Sequence, residues 1–202
     1  VLELDPSMRD LDFVAITKLI EFMENPGRSG GMQLPGKLWV QVENDRLVFW
    51  TGKPGFTIDA PQIQDGNQLF IGLNETMDLA DWKLSVADDA LESARTAIRG
   101  GGNSNIVWLD KEKLNFPLTI RGYLPGERFT PLGMSGKTIK VSDFWVNRKI
   151  PRPARKNWPI VYSGQSIVWI ASVAISESAA ITSQTRQVIR ISLQNLSRRK
   201  AG

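Results

Sequence analysis

The sequence predicts an α+β protein of two small domains, and three observations carry that prediction. A single stretch of clear helical period stands near the amino terminus. It is followed by a series of short alternating segments punctuated by Gly, Pro, Asn and Asp, with no repeats and no heptads. The charge then changes sign along the chain. Residues 1–117 hold 11 Lys/Arg against 18 Asp/Glu, a net of −7, whereas residues 118–202 hold 14 against 3, a net of +11. With 202 residues and 42% apolar content the chain is long enough for real cores. The expected division is 1–117, 118–195 and a basic tail at 196–202.

The helix is expected over Asp10 to Glu24. Phe13, Ile16, Leu19, Ile20 and Met23 recur at three- and four-residue spacing, Asp10 or Asp12 can cap the start, and Asn25-Pro26-Gly27 ends it. A turn-rich connection, GRSGGMQLPG, leads to a hairpin in which Leu38, Val40 and Val42 share a face, Asn44-Asp45 turns, and RLVFW returns. GFTIDA and QLFIGL are short strand candidates broken by Pro61, Gly66 and Asn67, and DWKLSV is another. Asp88-Asp89 can cap a helix running to Arg99, stopped at Gly100, and the GGGNSN run after it is flexible by composition. NIVWLDKEKL resumes a strand, and the domain boundary is placed near Pro117.

In the second domain LTIRGYL is a strand and Pro125-Gly126 a turn. Ser142 is the expected N-cap of a short helix to Lys149, which Pro151 cannot continue. A helical turn through Pro153 to Asn157 stops at Trp158-Pro159; a hairpin then bends at Ser163-Gly164-Gln165, and Thr185 to Leu193 alternates as a last strand.

Composition excludes several classes of function. The absence of Cys and His removes disulfides, thiolate zinc sites and the usual base of Ser/His/Asp or Cys/His catalysis. The longest apolar run, Ile167 to Ile175, is too short to span a bilayer, and VLELDPSMRD has no signal-peptide pattern, so a cytoplasmic location is the default. Asp81, Asp88 and Asp89 lack partners at ligand spacing, so capping and solvation are their expected roles rather than a metal site. No catalytic residue and no metal ligand is assigned.

The informative stretch runs from Arg121 to Val161. Between Lys137 and Lys156 it carries seven cations (Lys137, Lys140, Arg148, Lys149, Arg152, Arg155 and Lys156) against Asp143 alone, interleaved with Phe144 and Trp145 and followed by Trp158. Cations alternating with aromatics suit a phosphate backbone and exposed bases. The competing reading is a solvated charged face. Trp145 or Trp158 is the stacking candidate, whereas Phe144 and Trp169 sit among apolar neighbours and belong to the core. Gly126, Gly133 and Gly136 most simply serve turns.

The strings GERFTPLGMSGK, KVSDFWVNRKIPR, RKNWPIV and SIVWI, in that order, closely resemble the carboxy-terminal domain of bacterial tRNA(Ile)-lysidine synthetase, long labelled a cell-cycle protein. LDFVAITKLIEF with LPGKLWVQVENDRLVF more weakly resembles the end of that family's middle, substrate-recognition domain. Asp110, Lys113 and Leu114 resemble its Asp-x-x-Lys-Leu step. The resemblance implies a mixed-sheet last domain that handles tRNA(Ile). In the family, ATP adenylates the wobble cytidine of a CAU anticodon and lysine displaces AMP, so ATP, Mg and lysine are implied for a parent ligase.

Carried over by position, Arg128 and Phe129 match an Asp-Arg-Phe step with Glu127 in the acidic place, Lys140 a Lys-Lys-Leu step, and Lys149 to Arg152 a Lys-Ile-Pro-Arg step continued by Arg155, Trp158 and Pro159. The expected RNA-binding set is thus Arg128, Lys137, Lys140, Arg148, Lys149, Arg152, Arg155, Lys156 and Trp158. Ile139 stands where the first lysine of its pair is expected, and Ser172 and Ala174 where glycine and arginine are. Ser29-Gly30-Gly31 begins like the family's ATP-pyrophosphatase loop, but Gln33 and Leu34 replace its Asp and Ser. The expectation is therefore a non-catalytic, tRNA-binding portion of a longer enzyme, holding no cofactor itself, with a homodimer as one assembly to test. Its rivals are a protein-interaction module whose basic surface meets an acidic partner and a carboxylate-dependent hydrolase.

Overall fold

A computed structural model describes residues 13–24, 31–35, 38–43, 46–51, 61–64, 66–150 and 152–196. The expected caps at Asp10 or Asp12, the Asn25-Pro26-Gly27 stop, Ser29-Gly30, the Asn44-Asp45 turn, the GFTIDA strand and tail residues 197–202 lie outside them. The chain divides into two compact units, one drawn from residues 1–57 and 151–153, the other from 58–150 and 154–202.

In the first unit, helix α1 (Phe13–Glu24) accompanies an antiparallel sheet of β1 (Gly31–Leu34), β2 (Leu38–Glu43) and β3 (Arg46–Thr51), in that order. The expected hairpin is β2–β3, paired from Leu38↔Thr51 to Glu43↔Arg46. Strand β1 was expected as a turn-rich connection, yet it pairs with β2 from Gly31↔Gln41 to Leu34↔Leu38. Ala15, Leu34, Leu38 and Val40 form the core, with Leu19 and Phe22 packed against it. The inward row of α1 is thus Ala15, Leu19 and Phe22, at i, i+4 and i+7. Phe13, Ile16, Ile20 and Met23, expected on the inward face, are exposed. The segment FVAITKLIEF is apolar on more than one side, so periodicity allows both rows, and the small Ala15 lets the helix approach the sheet closely.

The second unit carries two larger sheets. One is ordered β13 (Ala174–Ile175), β12 (Ser166–Ile170), β11 (Ile160–Ser163), β8 (Leu118–Arg121) and β4 (Leu69–Ile71). The other is ordered β5 (Glu75–Leu79), β6 (Trp82–Asp89), β14 (Val188–Asn195) and β7 (Ile106–Asp110). All pairings are antiparallel. Alternation drives both sheets into one core. Trp82, Leu84 and Val86 of β6 and Ile189, Ile191 and Leu193 of β14 share a cluster with Leu118 and Ile120 of β8 and Trp169 of β12. At about 25 cal/mol per Å² of apolar area, this burial is the main force holding the unit together.

Strand pairing runs across the boundary expected at Pro117. β4 pairs with β8, and β14 is flanked by β6 and β7 on either side. Charge changes sign at that point, while apolar strands from both sides of it share one core. Helix α2 (Leu91–Arg99) starts at Ala90, which supplies no side-chain cap, so Asp88 and Asp89 end β6 instead of capping the helix. Asp88 accepts a hydrogen bond from Lys111 Nζ at 2.6 Å, and Asp89 accepts one from Trp108 Nε1 at 2.8 Å. Among the described residues no helix is long and apolar enough to cross a membrane, and no cluster of three metal-ligating side chains occurs.

Candidate nucleic-acid interface

Several of the expected cations, Arg128, Lys137, Lys140, Arg148 and Lys149, lie on or beside a small substructure of the second unit. β9 (Arg128–Phe129) and β10 (Ile139–Lys140) form a two-stranded ribbon that leads directly into α3 (Val141–Asn147). Lys140, rather than Ser142, is the N-cap residue of α3; the helix takes up its first turn through Val141 N, which donates to Glu127 O at 2.9 Å. The ribbon pairs Phe129 with Ile139 and Lys140 with Arg128. Side chains alternate along a strand, so the apolar pair turns inward, with Phe129 buried, and the cationic pair is exposed together on the outer face.

Aromatic packing anchors this substructure. Phe129 meets Phe144 edge to face at 5.0 Å, and Trp145 meets Trp158 at 5.6 Å. Trp145 is fully buried, and Trp158 is 7% exposed with its Nε1 donating to Ala171 O at 2.8 Å. Neither offers a face to a base, so the stacking role expected of Trp145 or Trp158 is corrected to a core role, and Trp158 leaves the candidate set. Both rings lie in a sequence that alternates charge and aromatic, and only the fold places the rings inside.

Lys137, Arg148 and Lys149 are exposed, and Arg148 Cζ lies 5.3 Å from the Phe144 ring centroid. Arg148 follows the last residue of α3, and Lys149 sits at φ 55°, a left-handed turn that ends the helix. Lys156 is exposed, while Arg155 is half-buried and its Nε donates to Ile150 O at 2.8 Å, which ties down the preceding turn. Arg152 opens the short helix α4 (Arg152–Arg155).

Sequence reading missed the device that holds the ribbon. Arg121 Nη2 donates to Glu127 Oε1 at 2.6 Å, and Tyr162 Oη donates to Glu127 Oε2 at 2.9 Å. Leu124 N also donates to Oε2, at 2.6 Å, and the Arg121 guanidinium lies 3.8 Å from the Tyr162 ring centroid. Burial and the neighbouring carboxylate push the Tyr162 phenol well above its ordinary range. The signal in the sequence was slender: Glu127 is one of three acids after residue 117. Two cavities of about 460 Å³ each adjoin the substructure. One is mainly apolar, lined by Trp108, Leu132, Val173 and Ala174 with Arg148. The other, alongside the ribbon, is lined by Arg128, Thr138, Gln165 and Glu177 with Phe129 and Ile167.

Residues 118–193 match the family model described as TilS substrate C-terminal domain. A crystal structure of a TilS C-terminal domain superposes with a TM-score of 0.51 at 19% identity, covering 64% of this chain and 98% of that one. The architecture is thus an α+β domain of the TilS C-terminal type. The chain is 32% identical to the tRNA(Ile)-lysidine synthase of Geobacter sulfurreducens over 88% of its length, and 28% identical to that of Dehalococcoides mccartyi over 96%. It belongs to the tRNA(Ile)-lysidine synthase family, and it spans 35% and 40% of the length of those two relatives.

Proposed function

We propose that this chain is the tRNA-binding portion of an ATP-dependent ligase that joins lysine to the wobble cytidine of tRNA(Ile), and that the chain itself performs no catalysis. The observation that carries this reading is the outward pairing of Arg128 and Lys140 on the ribbon, inside the residues that match the TilS substrate C-terminal domain. A guanidinium and an ammonium fixed side by side suit successive phosphates of a folded RNA. Lys137, Arg148, Lys149, Arg155 and Lys156 extend the cationic set of the second unit, and Arg152 is assigned to RNA binding from the sequence resemblance alone. Such contacts position an RNA without reading its sequence. ATP, Mg and lysine are handled by parts of the longer enzyme outside residues 1–202, and the protein works in the cytoplasm.

The test is a salt titration of the chain against a tRNA(Ile) transcript. Log affinity should fall with log salt at about −0.7 to −0.9 per phosphate contacted. Arg128→Ala and Lys140→Ala should each reduce the slope by about one. Equal competition by heparin, with slopes unchanged in both variants, would favour a protein-interaction module instead.

A further inference from the structure

Of the three acidic residues after residue 117, Glu127 is committed to Arg121 and Asp143 stands on the exposed first turn of α3. Glu177 is different, because it lines the cavity that adjoins the cationic ribbon. Its Oε2 accepts from Gly136 N at 3.0 Å, and its backbone N donates to Thr130 O at 2.8 Å, so the carboxylate is held in place. A carboxylate oxygen has two lone pairs, so Oε1 and the second lone pair of Oε2 remain available to a ligand. Gln165, in the β11–β12 turn, lines the same cavity and makes no hydrogen bond among the described residues. The floor is apolar, formed by Phe129 and Ile167, each 5% exposed, and Arg128 stands at the edge.

A fixed carboxylate repels phosphate, so the cavity is not a further backbone contact. It accepts hydrogen bonds, offers one carboxamide that donates, and presents an apolar floor of the kind that takes a flat heterocycle. A guanine edge has that complement: N1–H and N2–H donate to a carboxylate while O6 accepts from an amide. Sequence-specific RNA binding takes up unstacked bases in this way. A volume of about 460 Å³ admits one nucleotide.

We propose that this cavity receives an unstacked guanine of the bound RNA, with Glu177 and Gln165 reading its Watson–Crick edge and Arg128 on the adjoining phosphate. The proposal rests on the RNA-binding reading above and adds to it a place where base identity is recognised.

The test uses the full chain and a hairpin RNA with a short single-stranded end, synthesised with guanine, inosine, adenine, cytosine or uracil at each unpaired position in turn. Fluorescence anisotropy at fixed salt should show one position where guanine binds roughly tenfold or more tighter than adenine, since a bidentate base contact discriminates at about that level, with inosine between them. Glu177→Gln retains an oxygen for Gly136 N but removes the charge and half of the acceptor edge, and it should abolish the preference while leaving the salt slope unchanged. Gln165→Ala, at an exposed turn position, should reduce the preference without affecting folding. Salt-dependent binding with no base preference, or a preference that survives both variants, overturns the cavity assignment and leaves the RNA-binding reading standing. Absence of salt-dependent binding to any of the RNAs overturns both.

Discussion

Ser172 stands at φ 61°, in the left-handed region that favours glycine, and its hydroxyl is buried with no partner among the described residues. The family resemblance expects glycine there, and the backbone supplies the reason. A side chain in this conformation costs about 1–2 kcal/mol, and a buried hydroxyl without a partner adds to that. Ser172→Gly should therefore raise the unfolding free energy by about 1 kcal/mol, after the entropic cost of glycine in the unfolded chain is set against the gain. Urea denaturation measures it, and an unchanged or lower midpoint would contradict this account. Residue types carried the cationic set directly, because lysines and arginines seldom go inside. They did not decide the tryptophans. A ring that can stack on a base can equally fill a core, and Trp145 and Trp158 fill one.

The ribbon is the element on which the proposed interface depends, and it is two residue pairs long. No period is visible in so short a strand, which is why β9 and β10 went unread while the longer β6 and β14 were anticipated. Its position comes instead from Glu127, whose side chain bonds Arg121, Tyr162 and Leu124 N and whose carbonyl accepts from Val141 N. Burial raises the Glu127 pKa, but the hydrogen bonds from Arg121, Leu124 N and Tyr162 outweigh it and hold the carboxyl below its ordinary value of 4.5. A carboxylate with a pKa lower in the folded than in the unfolded state contributes stability above the unfolded value. That contribution is lost as pH falls through the folded value. Glu127→Gln should thus be destabilising at neutral pH, and the gap to the unsubstituted chain should narrow on acidification below about pH 4.5. Denaturation midpoints across that range check it; a gap that widens in acid would give the wrong sign.

At the scale of the whole molecule, β14 is the strand that closes the second unit, and both of its neighbours come from before residue 117. A fragment of residues 118–202 would expose Val188, Ile189, Ile191 and Leu193, together worth about 8 kcal/mol at roughly 2 kcal/mol per buried side chain. That is comparable to the whole stability of an ordinary domain. The fragment should fail to show a cooperative thermal transition by circular dichroism, whereas residues 58–202 should retain one; the reverse outcome would restore the boundary at 117. The sequence by itself determined the α+β class, the long strands, the polarity of charge along the chain and the family, because each is written in residue type and local order. Tertiary structure alone decided which face of α1 turns inward, that the two sheets share a core across the charge boundary, that Trp145 and Trp158 are buried, that Arg128 pairs with Lys140 on the ribbon, and that Arg128 lines one cavity with Glu177. Those are relations between residues distant in the chain, fixed by which apolar surfaces can close on one another, and no local pattern encodes them.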